Sequence, residues 1–267
     1  MTDAHGQAGV HVSGLRKTFF PGTVQEKAAL NGVDLDLAAG EFGIVIGSNG
    51  SGKSTTLNAI SGELQLDAGK VVVAGQDMSR LPAHKRAHFM ARVFQDPMQG
   101  TAASLTIEEN LAIAARRGSA RGFRMGLKRT ERDGFRAALE VLGLGLENRL
   151  SDRVALLSGG QRQSLTLVMA TLKAPPLLLL DEHTAALDPR AAELVLGATL
   201  QAVAGRNITT LMITHNMEQA ITHGDRLIMM HDGRVILNLD RTEKASVTAA
   251  DLVARFHDAV SDRMLLN

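Results

Sequence analysis

The stretch that decides the fold is Gly47-Ser48-Asn49-Gly50-Ser51-Gly52-Lys53-Ser54-Thr55. It fits the pattern G-x-x-x-x-G-K-[ST], in which glycines let the backbone turn tightly and point its N–H groups inward. The apolar residues 42–46 before it predict a buried strand, and residues 55–60 after it predict the first turns of a helix. A glycine-rich loop between a strand and a helix N-terminus predicts a phosphate-binding loop.

Two side chains of this loop carry chemistry of their own. Lys53 supplies a full positive charge for the β- and γ-phosphates of a nucleotide, and the Ser54 hydroxyl is placed to ligate Mg²⁺. The sequence therefore predicts that the chain binds a nucleoside triphosphate with its magnesium ion.

Composition limits the other classes. With 267 residues, 45% of them hydrophobic and 21% charged, the chain suits one large α/β domain with an insertion. A net charge of +1 argues against a general nucleic-acid binder, and the lack of cysteine excludes disulfides and thiolate metal sites. No apolar run approaches the ~18–20 residues that span a bilayer. Residues 1–9 lack the apolar segment of a signal peptide, so we expect a cytoplasmic location.

Periodicity predicts the organisation of the chain. After a flexible segment at residues 1–9, alternating apolar residues predict antiparallel strands near the start, and a hairpin is predicted about Asp232-Gly233. Residues 98–156 have mostly helical patterns, including capping-box spacing between Thr106 and Glu109. We therefore predict an α/β core formed by residues 10–97 and 157–267, with a helical subdomain inserted at 98–156.

Polar residues follow the predicted apolar strands, where parallel sheets bind ligands. Asp181 ends the run at residues 177–180, and its carboxylate with Ser54 would complete the protein side of a Mg²⁺ site. Glu182 points the other way in an extended chain and suits a general base for the attacking water. His215 and Gln95 also follow strands. His215 is placed to contact the γ-phosphate, and Gln95 to contact the metal or the water.

A second anion site is predicted at Leu157-Ser158-Gly159-Gly160-Gln161-Arg162-Gln163. Ser158 can cap the helix that follows, and the two glycines leave backbone N–H groups open. One chain with one nucleotide has no obvious need for two such sites. A second copy of the chain could bring its Ser158 loop to the phosphates of the first.

In order and spacing, these motifs resemble the ATP-binding subunit of an ABC transporter over about residues 10–240. The resemblance implies a RecA-like phosphate-loop core with a mainly parallel sheet, an N-terminal antiparallel β subdomain and an inserted α-helical subdomain. It implies that Asp181 organises Mg²⁺, that Glu182 is the catalytic base, and that the following residues contact ATP, in part across a head-to-tail dimer: Phe19, Gly47, Ser48, Asn49, Gly50, Ser51, Gly52, Lys53, Ser54, Thr55, Ser158, Gly159, Gly160, Gln161 and Asp188. Gln95 couples the nucleotide to the helical subdomain, and His215 senses the γ-phosphate.

Two positions depart from the family pattern. The adenine-stacking aromatic is usually a tyrosine after the first strand; here Phe19 is the candidate, with Phe20 as the fallback. The family usually has proline after the catalytic glutamate, where this chain has His183. The run from Asp181 to Asp188 looks like a bacterial subgroup that is paired with permeases of the branched-chain amino-acid type.

The resemblance also implies partners and a location. These are a second copy of the chain, transmembrane permease subunits and an extracytoplasmic solute-binding protein, with the chain on the cytoplasmic face of the cell membrane. We expect import of a small solute, with an exporter ATPase or a soluble ABC-type ATPase as alternatives. Eight Lys/Arg residues at positions 116–136 indicate either a solvated surface or one that faces anionic lipid headgroups.

Overall fold

The computed structural model describes residues 9–118 and 129–264, without the side chains of residues 129 and 257–264. The chain divides into two compact units, Met1–Arg86 with Thr209–Asn267 and Ala87–Ile208. The predicted helical insertion at 98–156 falls within the second unit. Residues 1–8 of the predicted flexible segment and residues 119–128 of the basic run lie outside the described residues. No helix in the described ranges has the length and apolar character needed to cross a bilayer.

The strands are β1 (Val10–Phe19), β2 (Lys27–Leu37), β3 (Phe42–Gly47), β4 (Ala68–Val73), β5 (Gln76–Asp77), β6 (Met90–Val93), β7 (Leu177–Asp181), β8 (Thr209–Ile213), β9 (Arg226–His231) and β10 (Arg234–Leu239). The helices are α1 (Lys53–Ser61), α2 (Ala83–Arg86), α3 (Ile107–Ala115), α4 (Arg129–Glu140), α5 (Gly159–Thr171), α6 (Pro189–Val203), α7 (Met217–Thr222), α8 (Arg241–Lys244) and α9 (Ala249–Met264).

The first unit contains the predicted antiparallel sheet, with strand order β2-β1-β4-β5. Alternation along β1 buries Val10, Val12 and Leu15, as a sheet with one covered face requires. A register shift after Val12 adds a residue to β1, and one after Leu15 adds a residue to β2, so that the pairing continues to Phe19.

Parallel pairing surrounds the strand before the phosphate loop. In the first unit β3 lies between β8 and β9 and is parallel to both, so Ile44 pairs with Met212 on one side and with Leu227 on the other. This pairing explains the unbroken apolar run, because a central parallel strand is covered on both faces. In the second unit β6 and β7 are likewise parallel, with Val93 opposite Leu180. These features confirm the predicted α/β class with mainly parallel strands.

Contacts from distant residues fix the phosphate loop and its helix. The hairpin turn between β9 and β10 uses positive φ at Asp232 and Gly233, and the Gly233 N–H donates to the Ser51 carbonyl over 2.9 Å. At the other end of α1 the buried Arg86 guanidinium donates to the Ala59 and Ile60 carbonyls over 2.8 and 2.7 Å. A cation at a helix C-terminus is favourable, so both ends of this segment are anchored.

The helical part of the second unit has its own apolar core, which is formed by Ile107, Leu111, Ala112, Phe135, Leu139, Leu146, Leu150, Val154, Leu157, Leu165 and Val168. The predicted capping box is present at the start of α3, where Thr106 and Glu109 exchange hydrogen bonds. The segment before Thr106 is not helical. Asn110 explains this difference, since its side-chain amide bonds both the N–H and the carbonyl of Ala102 and so stabilises a turn.

Two arginines of the basic run bind within the second unit. Arg117 donates to the Ala170 carbonyl over 3.0 Å, and its burial lowers the pKa of the guanidinium. Arg132 forms an ion pair with Glu108 at 2.6 Å. The proposed contact of this run with lipid headgroups stays a prediction.

Candidate active site

The N-terminus of α1 is cradled by glycines. Its cap is Gly52, at φ 102°, which has no side chain to accept from the N–H groups of the first turn. A Cβ at Gly47 would lie 2.2 Å from the Met230 carbonyl oxygen, and one at Gly52 would lie 2.8 Å from that of Ala29. Only glycine fits at these positions, and the loop's shape thus fits a phosphate chain at the helix N-terminus.

Lys53 and Ser54 begin this helix with different exposure. The Lys53 side chain folds over the loop, where its Nζ donates to the Gly47 and Ser48 carbonyls over 2.8 and 2.9 Å, and the residue is only 5% exposed. Ser54 is exposed in the first turn. A buried ammonium held by carbonyl groups can exchange them for phosphate oxygens, and a serine hydroxyl is an oxygen ligand of the kind that a hard cation prefers.

The end of β8 reaches the same loop within the first unit. Because β3 and β8 are parallel and Val45 lies opposite Ile213, both strands end at one edge. His215 lines a cavity of about 210 Å³ together with Gly47 and Ser48, and Phe256 of α9 contributes to its wall. The structure therefore brings the predicted switch histidine to the phosphate loop.

The predicted acidic residues lie at the corresponding edge of the second unit. Asp181 ends β7, and Gln95 follows two residues after β6 and is exposed. The Asp181 Oδ2 contacts Nη2 of Arg92 at 2.6 Å. Glu182 has φ 47°, a left-handed conformation that is uncommon outside glycine and costs of order 1–3 kcal/mol. Such local strain is typical of residues whose orientation matters to function.

The second predicted anion site is closed by its own side chains. The Ser158 Oγ accepts from the Gln161 N–H over 3.3 Å, and the Gln161 Oε1 accepts from the Ser158 N–H over 3.2 Å. This capping box satisfies two first-turn donors of α5. A Cβ at Gly160 would lie 2.9 Å from the Cβ of Ala191, so the missing side chain lets α6 approach closely. Asp188 caps α6 by accepting from the Ala191 N–H over 3.1 Å.

His183, which follows Glu182, is a buried neutral side chain. It is 2% exposed, and burial lowers the pKa of its imidazole to about 4. Its Nε2 lies 3.0 Å from the Thr199 Oγ1, and that hydroxyl donates its proton to the Val195 carbonyl over 2.8 Å. His183 is therefore the donor to Thr199, and its proton is on Nε2. This bond fastens the segment after Glu182 to α6.

The two aromatic candidates for adenine differ in exposure. Phe20 is 62% exposed, whereas Phe19 is half-buried, with the Lys17 Nζ 6.0 Å from its ring centroid. Phe20 also has φ 51°, which turns the chain away from β1 at this point. The exposed face of Phe20 is the more accessible of the two to a planar base.

Comparison with known proteins gives one consistent result. Residues 30–185 match the ABC transporter family. A Tyrosine transport ATP-binding protein from Clostridioides difficile (strain R20291) is 41% identical over 251 residues, which cover 94% of this chain and 100% of that protein. The chain belongs to the ABC transporter family. As an ABC cassette it is an ATP-binding subunit and an ATPase.

Two further relatives place this cassette among diverse systems. A lipoprotein-releasing system ATP-binding protein LolD from Ruegeria sp. (strain TM1040) is 36% identical, and the match covers 84% of this chain and 96% of that protein. A solved cassette, MJ0796, as a post-hydrolysis dimer bound to ADP and Pi, has a TM-score of 0.73 at 27% identity, covering 87% of this chain and 98% of that chain. The narrower resemblance to cassettes with permeases of the branched-chain type is not confirmed.

Two contacts at the site of this cassette were not predicted from the sequence. Arg92 pairs with Asp181, and its signal was a charged residue in an otherwise apolar strand just before Gln95. The bond from His183 to Thr199 was also missed, because no local pattern links two residues that lie 16 positions apart.

Proposed function

We propose that this chain powers the import of a small solute through a separate membrane permease, as one of two head-to-tail copies on the cytoplasmic face of the cell membrane. The observation that carries the proposal is the difference between two helix N-termini. That of α1 lacks a side-chain cap and has Lys53 beside it, whereas that of α5 presents a capped, exposed Ser158. The first suits ATP bound by its own chain, and the second suits completion of a partner's site.

In this proposal each site residue has one task. Backbone N–H groups of residues 47–55 and the Lys53 ammonium bind the phosphates, and the Ser54 hydroxyl ligates Mg²⁺. Asp181 and Gln95 are the other proposed metal contacts. Mg²⁺ when bound neutralises charge that develops on the phosphates. The donor set fits, because all three side chains offer oxygen atoms and Asp181 supplies a carboxylate, of which magnesium sites of this class use one or two beside substrate phosphates and waters.

Glu182 is the proposed general base for the attacking water. A carboxylate with its proton-accepting oxygen near the water speeds attack by about 10²–10⁴-fold. His215 is proposed to bind the γ-phosphate, and its position beside Gly47 and Ser48 supports that role.

Ser158 is proposed to act on the nucleotide of the partner copy. Its Oγ already accepts the Gln161 N–H, so the hydroxyl proton stays available to donate to a phosphate oxygen. Gly159, Gly160 and Gln161 are proposed to contact the same nucleotide, and Asp188 is proposed to lie at the dimer contact.

The cargo is proposed from the relatives. Because the relative from Clostridioides difficile is a tyrosine transport protein and matches over its full length, an aromatic amino acid is the first solute to test. We further propose that an extracytoplasmic solute-binding protein delivers it. The relative named for lipoprotein release supports the second candidate, which is transport away from the cytoplasm. The direction of labelled tyrosine flux in proteoliposomes that contain this chain and its permease separates the two.

The hydrolysis mechanism is tested by Glu182→Gln, with Glu193→Gln on α6 as a surface control. We expect Glu182→Gln to lower ATP hydrolysis by about 100-fold or more, to keep ATP affinity, and to accumulate an ATP-bound dimer in size-exclusion chromatography with light scattering. Hydrolysis at the wild-type rate in Glu182→Gln would show that another group is the base.

A further inference from the structure

The carboxylate of Asp181 has a specific basic partner within its own unit. The Arg92 Nη2 lies 2.6 Å from the Asp181 Oδ2, and the two side chains are only 10% and 14% exposed. An ion pair this sheltered from water is stronger than a surface pair and fixes the geometry of both groups.

Strand register explains why the two side chains meet. Arg92 lies opposite Leu179 in the parallel pair of β6 and β7, and side chains two residues apart share a face of a strand. Asp181 is two residues beyond Leu179, so Arg92 reaches along the sheet face to the end of the neighbouring strand. A shorter side chain at this position would not span that offset.

The guanidinium is also fixed from a second side. Its central carbon lies 4.8 Å from the ring centroid of Phe94, two residues further along the same strand face. The Phe94 carbonyl accepts from the Nε2 of Gln163, a fully buried residue of α5, over 2.8 Å. Stacking and pairing together leave the Arg92 side chain little rotational freedom.

We propose that Arg92 is a positioning residue, which holds the Asp181 carboxylate in the orientation that Mg²⁺ requires. The contact engages Oδ2 and so restricts rotation of the Asp181 carboxylate about its own axis. Partners that orient metal ligands in this way commonly change metal affinity by about 10–100-fold. The inference rests on the proposed role of Asp181 as a magnesium residue.

The test measures how strongly Mg²⁺ tightens ATP binding, by titrating the full chain with a fluorescent ATP analogue in Mg²⁺ and in EDTA. We call the ratio of ATP affinity in Mg²⁺ to ATP affinity in EDTA the Mg²⁺ gain. For Arg92→Met we expect this Mg²⁺ gain to fall by about tenfold or more, while the ATP affinity in EDTA stays within about twofold of wild type. Arg92→Lys keeps the positive charge but loses the planar guanidinium, so its Mg²⁺ gain should lie between those of wild type and Arg92→Met. The control is Arg132→Met, which breaks a pair of the same 2.6 Å length with Glu108 elsewhere in the unit.

A double-variant cycle with Asp181→Asn separates this inference from the proposed function. If Arg92 acts through Asp181, adding Arg92→Met to Asp181→Asn changes the Mg²⁺ gain no further. An unchanged or larger gain in Arg92→Met, or full additivity in the double variant, overturns the role of Arg92. A normal gain in Asp181→Asn itself overturns the proposed metal role of Asp181. If Arg92→Met fails to fold by circular dichroism, the same comparison is decided by Arg92→Lys.

Discussion

Two helices of this protein begin with glycine-rich sequences, and their N-termini are built in opposite ways. At α1 the cap is Gly52 in a left-handed conformation, which offers no side chain to cap the first turn. At α5 the cap is Ser158, which forms a reciprocal capping box with Gln161. Sequence alone suggested two similar anion sites, and the structure shows one that is open and one that is already capped.

The difference shows what each glycine is for. Gly47 and Gly52 let the backbone fold where any Cβ would meet a carbonyl oxygen, so they shape a binding loop. Gly160 lies inside a regular helix and makes room for Ala191 of α6, so it sets the approach of two helices. An open N-terminus can take a polyphosphate directly. A capped one offers a fixed hydroxyl, which suits a site that is completed in trans.

The largest expected effect is at the open N-terminus. Lys53→Ala removes the ammonium beside the loop, and we expect ATP affinity to fall by about 100-fold or more, since losing one partner of a desolvated charge contact costs about 2–5 kcal/mol. Calorimetric titration of the monomer measures this. Ser158→Arg, at the capped N-terminus, should leave monomer ATP affinity unchanged, and a comparable loss there would erase the distinction.

Acid should lower the free energy of unfolding because His183, which fastens the segment after Glu182 to α6, is buried in its neutral form. The pKa of His183 is lowered to about 4 from 6.5, so the unfolded chain takes up a proton more readily than the folded one. The stabilisation is complete above about pH 6.5 and is lost as the pH falls toward 4; between pH 7 and 5 the loss is about 2 kcal/mol. Urea unfolding at the two pH values measures it. His183→Gln, which keeps a donor for Thr199 but cannot titrate, should flatten this pH dependence, and an unchanged slope would assign it to other groups.

The next prediction concerns which of two phenylalanines, Phe19 or Phe20, stacks on the adenine of bound ATP. Exposure favours Phe20 over Phe19 as the stacking surface. Phe20→Ala should weaken ATP binding by about tenfold, since stacking a base on an aromatic ring contributes about 1–3 kcal/mol. Phe19→Ala serves as the matched variant. A larger affinity loss in Phe19→Ala would return the adenine contact to that residue.

The smallest effect concerns the caps themselves. Ser158→Ala and Thr106→Ala each remove a side-chain cap within a capping box, at α5 and α3 respectively. Each should lower the free energy of unfolding by about 1 kcal/mol. Only Ser158→Ala should also reduce ATP hydrolysis, because only that hydroxyl is proposed to reach a nucleotide. Equal hydrolysis in the two variants would make Ser158 a structural cap alone.

Features set by neighbouring residues were predictable from the sequence. The phosphate loop, the box between Thr106 and Glu109, and the hairpin about Asp232-Gly233 each have a short sequence pattern that specifies the local backbone. The short helices α2, α7 and α8 were missed, since four to six residues give too little periodicity to detect.

Within the site, residue types at strand ends were predictable, but their partners were not. Parallel strands end at a common edge, and this rule placed His215 beside Gly47 and put Asp181 after β7. The ion pair of Arg92 with Asp181 depends on the register of β6 against β7, which no local pattern specifies. The closed cap at Ser158 was half predicted, since the serine was assigned as a cap while Gln161 was assigned only to the nucleotide.

The central claim is that the open N-terminus of one copy works with the capped N-terminus of another. Mixing the inactive variants Lys53→Ala and Ser158→Arg tests it most directly, because a head-to-tail heterodimer of the two contains one site with both defects and one intact site. Random pairing in an equal mixture should restore roughly a quarter of wild-type ATP hydrolysis, while each variant alone stays inactive. A mixture as inactive as its components would contradict an active site shared between two copies.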